Sequence, residues 1–185
     1  MSVLPSLAYI VLVVLDLSAA IPSLLEERSV VAALVSGEAP WMFRLRMRSH
    51  TAHSENGHTS IMVDSARIDV LDPAGIRRQT LVARPEEAAL FLSTVELVDV
   101  DFDGVADLRY VRDAYHCVTY YEVWRFDAKR RRFVTDRLTR ALGELQNMSV
   151  DPTARVVADH PGCHLHPGEH FQSYRIVGDR LVPAT

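Results

Sequence analysis

The stretch from Trp41 to Arg48 is the strongest constraint on what this chain can fold into. Trp41, Phe43, Leu45 and Met47 alternate with Met42, Arg44, Arg46 and Arg48. A period of two sends one set of side chains to each face of an extended strand, so this segment reads as a half-buried strand with an arginine-studded outer face. His50 to Thr59 (HTAHSENGHT) is polar and carries Asn56-Gly57, the signature of a tight hairpin tip. Beyond it Ile61 and Val63 keep the inward parity, while Ile68 and Val70 take the other. The switch predicts a bulge near residues 65–67.

The same alternation recurs along the chain. Strands are expected at 79–83, 95–98, 107–115, 120–127 and 155–158, with a closing hairpin at 171–177 and 180–182 around Gly178-Asp179. Short helices are expected after Pro85 and over 137–145. The expected fold is therefore mainly β, an antiparallel sandwich-like single domain over residues 41–185 with small helices at its edge. Ahead of it, Ser23-Leu24-Leu25-Glu26 reads as a capping box and Gly37 as a stop, which predicts a helix at 24–36 within an N-terminal helical segment, 21–40. Leu7 to Leu15 is a run of nine apolar residues, too short for a bilayer, followed by Ser18, Ala19 and Ala20. That pattern fits a secretory signal over residues 1–20 and a periplasmic product without stable membrane insertion.

Composition narrows the function classes. A chain of 185 residues that is 48% hydrophobic can bury a core and is not disordered. With 24 acidic against 20 basic side chains, the formal charge of −4 argues against nucleic acid as a partner. There is no G-x-S-x-G elbow, no H-E-x-x-H and no phosphate-binding glycine loop, so no sequence motif points to an enzyme.

The sharpest chemical signal is Asp99-Val-Asp101-Phe-Asp103-Gly104-Val105-Ala-Asp107. Carboxylates at positions one, three, five and nine around a glycine at six match the first part of a calcium loop, with the Val105 carbonyl as a further oxygen. Alternate residues on a curling backbone aim short Asp side chains at one point, and hard oxygens suit Ca2+. Position twelve is Tyr110 instead of a bidentate Glu, and the residues after the loop (DLRYVRDAY) read as strand. The expectation is a structural calcium loop between strands.

Cys117 and Cys163 are the only cysteines. In an exported protein they are expected to pair, closing a loop of about 45 residues worth roughly 4 kcal/mol in the chain-entropy model. His160, His164, His166 and His170 crowd one Pro-Gly-interrupted segment. It reads as a polar loop, with a zinc- or copper-dependent hydrolase as the competing possibility.

The ordered series VELVDVDFDGVADLRYVRD, YYEVWRFDAKRRRFV, SVDPTARVVAD and SYRIVGDRLV resembles the calcium-loop, lysozyme-inhibitor-like immunity proteins that accompany antibacterial type IV secretion effectors. Those proteins are related in fold to the I-type periplasmic lysozyme inhibitors. Tyr121, Trp124, Phe126, Asp127, Phe133 and Val134 occupy the matching strand positions, and the resemblance covers roughly residues 90–182. It implies a periplasmic inhibitor that blocks a cognate peptidoglycan hydrolase, a lysozyme-like effector, by occluding its active site. The S-G-x-x-Y insertion motif of the I-type inhibitors does not carry over, because Ser36-Gly37 is followed by Glu38-Ala39-Pro40. The expected inserting element is instead the His160–His170 loop, with Tyr115 and His116 beside it. A calcium-stapled structural or adhesive domain is the remaining alternative.

Overall fold

The computed structural model describes residues 24–53, 59–85, 88–162 and 171–184. Twelve strands and two short helices occur among them: β1 (Leu24–Ala32), β2 (Trp41–His53), β3 (Thr59–Leu71), β4 (Arg77–Ala83), α1 (Ala88–Thr94), β5 (Glu96–Val98), β6 (Asp107–Tyr115), β7 (Val118–Asp127), β8 (Arg132–Val134), α2 (Arg137–Leu142), β9 (Ser149–Asp151), β10 (Val156–Asp159), β11 (Gln172–Val177) and β12 (Arg180–Pro183). They form three four-stranded sheets, β1-β2-β3-β4, β5-β6-β7-β8 and β12-β11-β10-β9. Every pairing is antiparallel, so the mainly β expectation is met.

The middle sheet is buried on both faces, and strand β7 shows how. Trp124 and Phe126 belong to the core shared with the first sheet, together with Phe43, Leu45, Ile68 and Leu81. Val123 and Tyr121, of the opposite parity, belong to a second core with Leu138, Leu142 and Val157. The first core is rich in ring contacts. Trp41 meets Phe126 edge-on at 5.6 Å between centroids, and Tyr110 stacks on Trp124 at 5.4 Å. Gln79 on β4 adds a polar link between the sheets. Its Nε2 donates to the Phe133 carbonyl at 2.8 Å, and its Oε1 accepts from the Phe133 N–H at 2.8 Å. The amide thus pairs with the backbone of β8 as a neighbouring strand would.

Residues 24–36 do not form the expected helix. Leu24–Ala32 is strand β1, in unbroken register with β2 from Leu24↔Ser49 to Ala32↔Trp41. The β-branched pair Val30-Val31 favours extended backbone, and pairing with the long β2 strand satisfies the N–H and C=O groups that the helix would have used. Val30 and Leu34 sit in the first core, so the folded domain begins before Trp41. The Ser23 cap lies outside the described residues.

The expected bulge is present one residue earlier than predicted. Arg48 faces Ser65 and Ser49 faces Val63, which leaves Asp64 as the extra residue. Its carboxylate takes His50 Nδ1 at 2.7 Å. Two short strands, β8 and β9, fall outside the elements expected from alternation because three residues are too few to show a period.

Candidate metal centre

The turn between β5 and β6 holds the aspartate cluster. Asp99 accepts from the Asp103 N–H at 3.1 Å and the Gly104 N–H at 2.9 Å, while Asp103 accepts from the Val105 N–H at 2.8 Å. Asp107, only 1% exposed, reaches back across the turn. One of its oxygens accepts from Val100 N–H at 3.1 Å and the other from Phe126 N–H at 2.8 Å. These bonds curl the backbone around its own acids. Gly104 makes the sharpest step with φ +91°, a region L side chains rarely enter. Phe102 enters the left-handed region too, at φ 62°. Its ring is buried in the second core, and Arg155 donates to its carbonyl at 2.7 Å.

One carboxylate oxygen from each of Asp99, Asp101 and Asp107 lies within 4.8 Å of the others. Oxygens that share an ion at about 2.4 Å are at most about 4.8 Å apart, so this spacing admits one calcium-sized cation. The donors are all hard oxygens, and each carboxylate retains lone-pair directions beyond its N–H partners. The residues present therefore fit Ca2+. Asp103 and Val105 lie in the same turn but outside that triad, so the structure brings together three of the five expected ligands.

Electrostatics tie the cluster together. Burial pushes the Asp107 carboxyl up to about 8 even against its two N–H donors, and Asp101 and Asp103 push the same way. Asp103 is also raised, first by desolvation and then by Asp101 and Asp99. A group that sequence reasoning missed offsets part of this charge. Arg125, on the second-core face of β7, donates from Nη1 to Asp101 and from Nη2 to Asp136 at 2.8 Å. Burial works against its charge, yet Asp136 and Asp101 outweigh it and hold the guanidinium above its ordinary pKa. Asp136 is at the same time the N-cap of α2, accepting from Thr139 N–H at 3.0 Å. No motif marks Arg125, because it lies 24 residues from Asp101 and meets it only through the β6–β7 pairing.

Tyr110, at position twelve, has no ligand role. It is fully buried between Phe91 and Trp124, and its hydroxyl accepts from Arg84 N–H at 2.9 Å. Burial pushes its pKa up. The position a helix–loop–helix hand gives to a bidentate acid is spent here on the core.

The other candidate residues gather at the far end of β6 and β7. Tyr115 is 52% exposed and tilts against Tyr120, and His116 turns the hairpin with φ 53°. Asn147 clamps this turn to the segment after β10. Its Nδ2 donates to the carbonyls of Cys117 and His160, each at 2.8 Å, and its Oδ1 accepts from Thr119 N–H at 2.9 Å. His160 itself meets Ser149 Oγ through Nε2 at 2.7 Å and packs on Phe171. Cys163, His164, His166 and His170 lie outside the described residues, and no cysteine among the described residues is free. Among those residues, no helix is long and apolar enough to cross a membrane.

Comparison with known proteins finds no matching family model, no similar curated protein and no similar solved structure.

Proposed function

We propose that this chain is a calcium-stabilised inhibitor of a peptidoglycan-cleaving enzyme, exported to the periplasm with Cys117 and Cys163 paired. The observation that supports the reading is the convergence of Asp99, Asp101 and Asp107 in a turn between two strands of a mainly β fold. That is the arrangement the sequence resemblance leads one to expect. Asp99, Asp101 and Asp107 would hold the calcium, whose charge would offset their repulsion and so stabilise the β5–β6 turn. No catalytic step passes through it.

The inhibitory element in this reading is the His160–His170 loop with Tyr115 and His116. The Asn147 clamp supports it, since it seats the Cys117 turn beside His160. In this reading the loop acts by blocking the cleft.

The test has two arms. Differential scanning calorimetry in Ca2+ and in EGTA should show a lower Tm after chelation, because an ion bound only by the folded state stabilises it. An unchanged Tm removes the calcium. Titrating the chain into a cell-wall clearing assay run by the hydrolase encoded beside it should abolish lysis near equimolar ratio. The triple variant H164A/H166A/H170A should lose that effect. Lysis that proceeds at molar excess of the native chain removes the inhibitor.

A further inference from the structure

The first sheet buries one face, and the other carries the exposed side chains of Leu25, Val31, Arg48, Arg67 and Val82. Residues directly opposite in an antiparallel pair share a face. Since Trp41, Phe43, Leu45 and Met47 point into the core, Arg44, Arg46 and Arg48 point out, opposite Asp69, Arg67 and Ser65 of β3 and Ser29, Glu27 and Leu25 of β1. Two acids serve these arginines. Glu27 pairs with Arg44 at 3.2 Å. Asp69 pairs with Arg46 and also accepts from Thr80 Oγ1 at 2.6 Å. Asp69 is 2% exposed, so it works as a buried anchor that lays Arg46 along the sheet.

Arg48 and Arg67 are exposed and have no ion-pair partner among the described residues. Arg67 stands directly opposite Arg46, a like-charge pairing that costs stability. Across these positions the face carries four arginines against two acids, on a chain whose formal charge is −4. A hollow of about 270 Å³ lies over it, lined by Leu25, Glu27, Arg46, Arg48, Ser65 and Arg67. Leu25, Val31 and Val82, all exposed on this face, give it an apolar margin. Arginine is among the residues enriched at protein-binding surfaces.

We propose that the outer face of β1–β4 docks an acidic protein surface, with Arg48 and Arg67 each receiving a carboxylate. Nucleic acid fits less well. Its affinity comes from a long run of neutralised phosphates, and here two unpaired guanidinium groups sit on a negatively charged protein. The proposal is independent of the inhibitor reading, since it concerns a different face and uses neither calcium nor the histidines.

The test is fluorescence anisotropy with labelled poly-L-glutamate at low ionic strength, with duplex DNA as competitor. Native protein should bind the polypeptide and lose affinity as salt rises. R48Q/R67Q should weaken binding by about two- to thirtyfold, from two exposed pairs at about 0.2–1 kcal/mol each. R130Q/R132Q, on the β7–β8 hairpin, should leave it unchanged. Circular dichroism melting controls for folding, and loss of the opposed Arg46–Arg67 charges should not lower the Tm of R48Q/R67Q. The proposal is overturned by no binding of native protein, by equal binding of R48Q/R67Q, by equal loss in R130Q/R132Q, or by DNA outcompeting polyglutamate.

Discussion

Arg125 is the internal counterion of Asp101: its Nη1 holds one oxygen of a carboxylate whose other oxygen faces the backbone of the same acidic turn. Through Nη2 and Nε the same guanidinium holds the N-cap of α2. A turn with four aspartates therefore has one fixed positive charge before any metal arrives. Arg125→Gln keeps hydrogen-bonding capacity but removes that charge. We expect it to destabilise the protein by about 1.5–3 kcal/mol in EGTA, the range for hydrogen bonds to charged groups, and by less in millimolar Ca2+. Chemical denaturation under both conditions measures the difference, and an equal loss in both would mean that cation and arginine do not share the load.

Gly104→Ala tests the turn itself. Nothing lies within 4 Å of the Cβ it would add, so any cost comes from φ +91° and not from a clash. The expected loss is about 1–2 kcal/mol. Gly104→Asn, which tolerates a left-handed backbone better, should lose less in the same denaturant series.

Gln79→Ala should cost about 1–3 kcal/mol, because it strands both the N–H and the carbonyl of the buried Phe133 segment. Hydrogen exchange localises the effect. Amide 133 should lose protection well before the amides of β2, which are held by β1 and β3 on either side.

Glu122 supplies a pH dependence away from the aspartates. Burial raises its carboxyl above the ordinary value, with Arg112 and Arg84 pulling partly back. A raised carboxyl favours the protonated folded state. Its contribution to stability is therefore full below the unfolded pKa and is lost as pH rises through the folded one. Glu122→Gln removes the titration, so its Tm relative to the native chain should increase from acid toward neutral pH. A constant offset across that range would show that the side chain is solvated.

Sequence patterning makes most strands legible because their alternation is long enough to read. Trp41–Met47 and the segments around Trp124 and Ile176 each show which face is buried. The first strand misleads for a physical reason. Leu24–Ala32 carries helix-compatible residues and follows a capping pattern, and its pairing with β2, helped by the β-branched Val30-Val31, makes it extended. The loop aspartates can be read from spacing. Arg125 and Asn147 cannot, because each acts across long sequence separations that no local motif encodes. The extra residue at Asp64 is visible only as a change of parity, which locates a bulge to within a residue or two.

The Asn147 clamp also sets an order of events during synthesis. Its amide must reach Thr119, translated 28 residues earlier, and His160, translated 13 residues later. The β6–β7 hairpin thus leaves the ribosome with its tip unsecured. A hairpin assembled this way locks only once Asn147 has emerged, so truncations that stop short of Asn147 should leave the Tyr115–Val118 tip open to proteases, while those that keep Asn147 and stop short of His160 should lose only one of its two carbonyl partners.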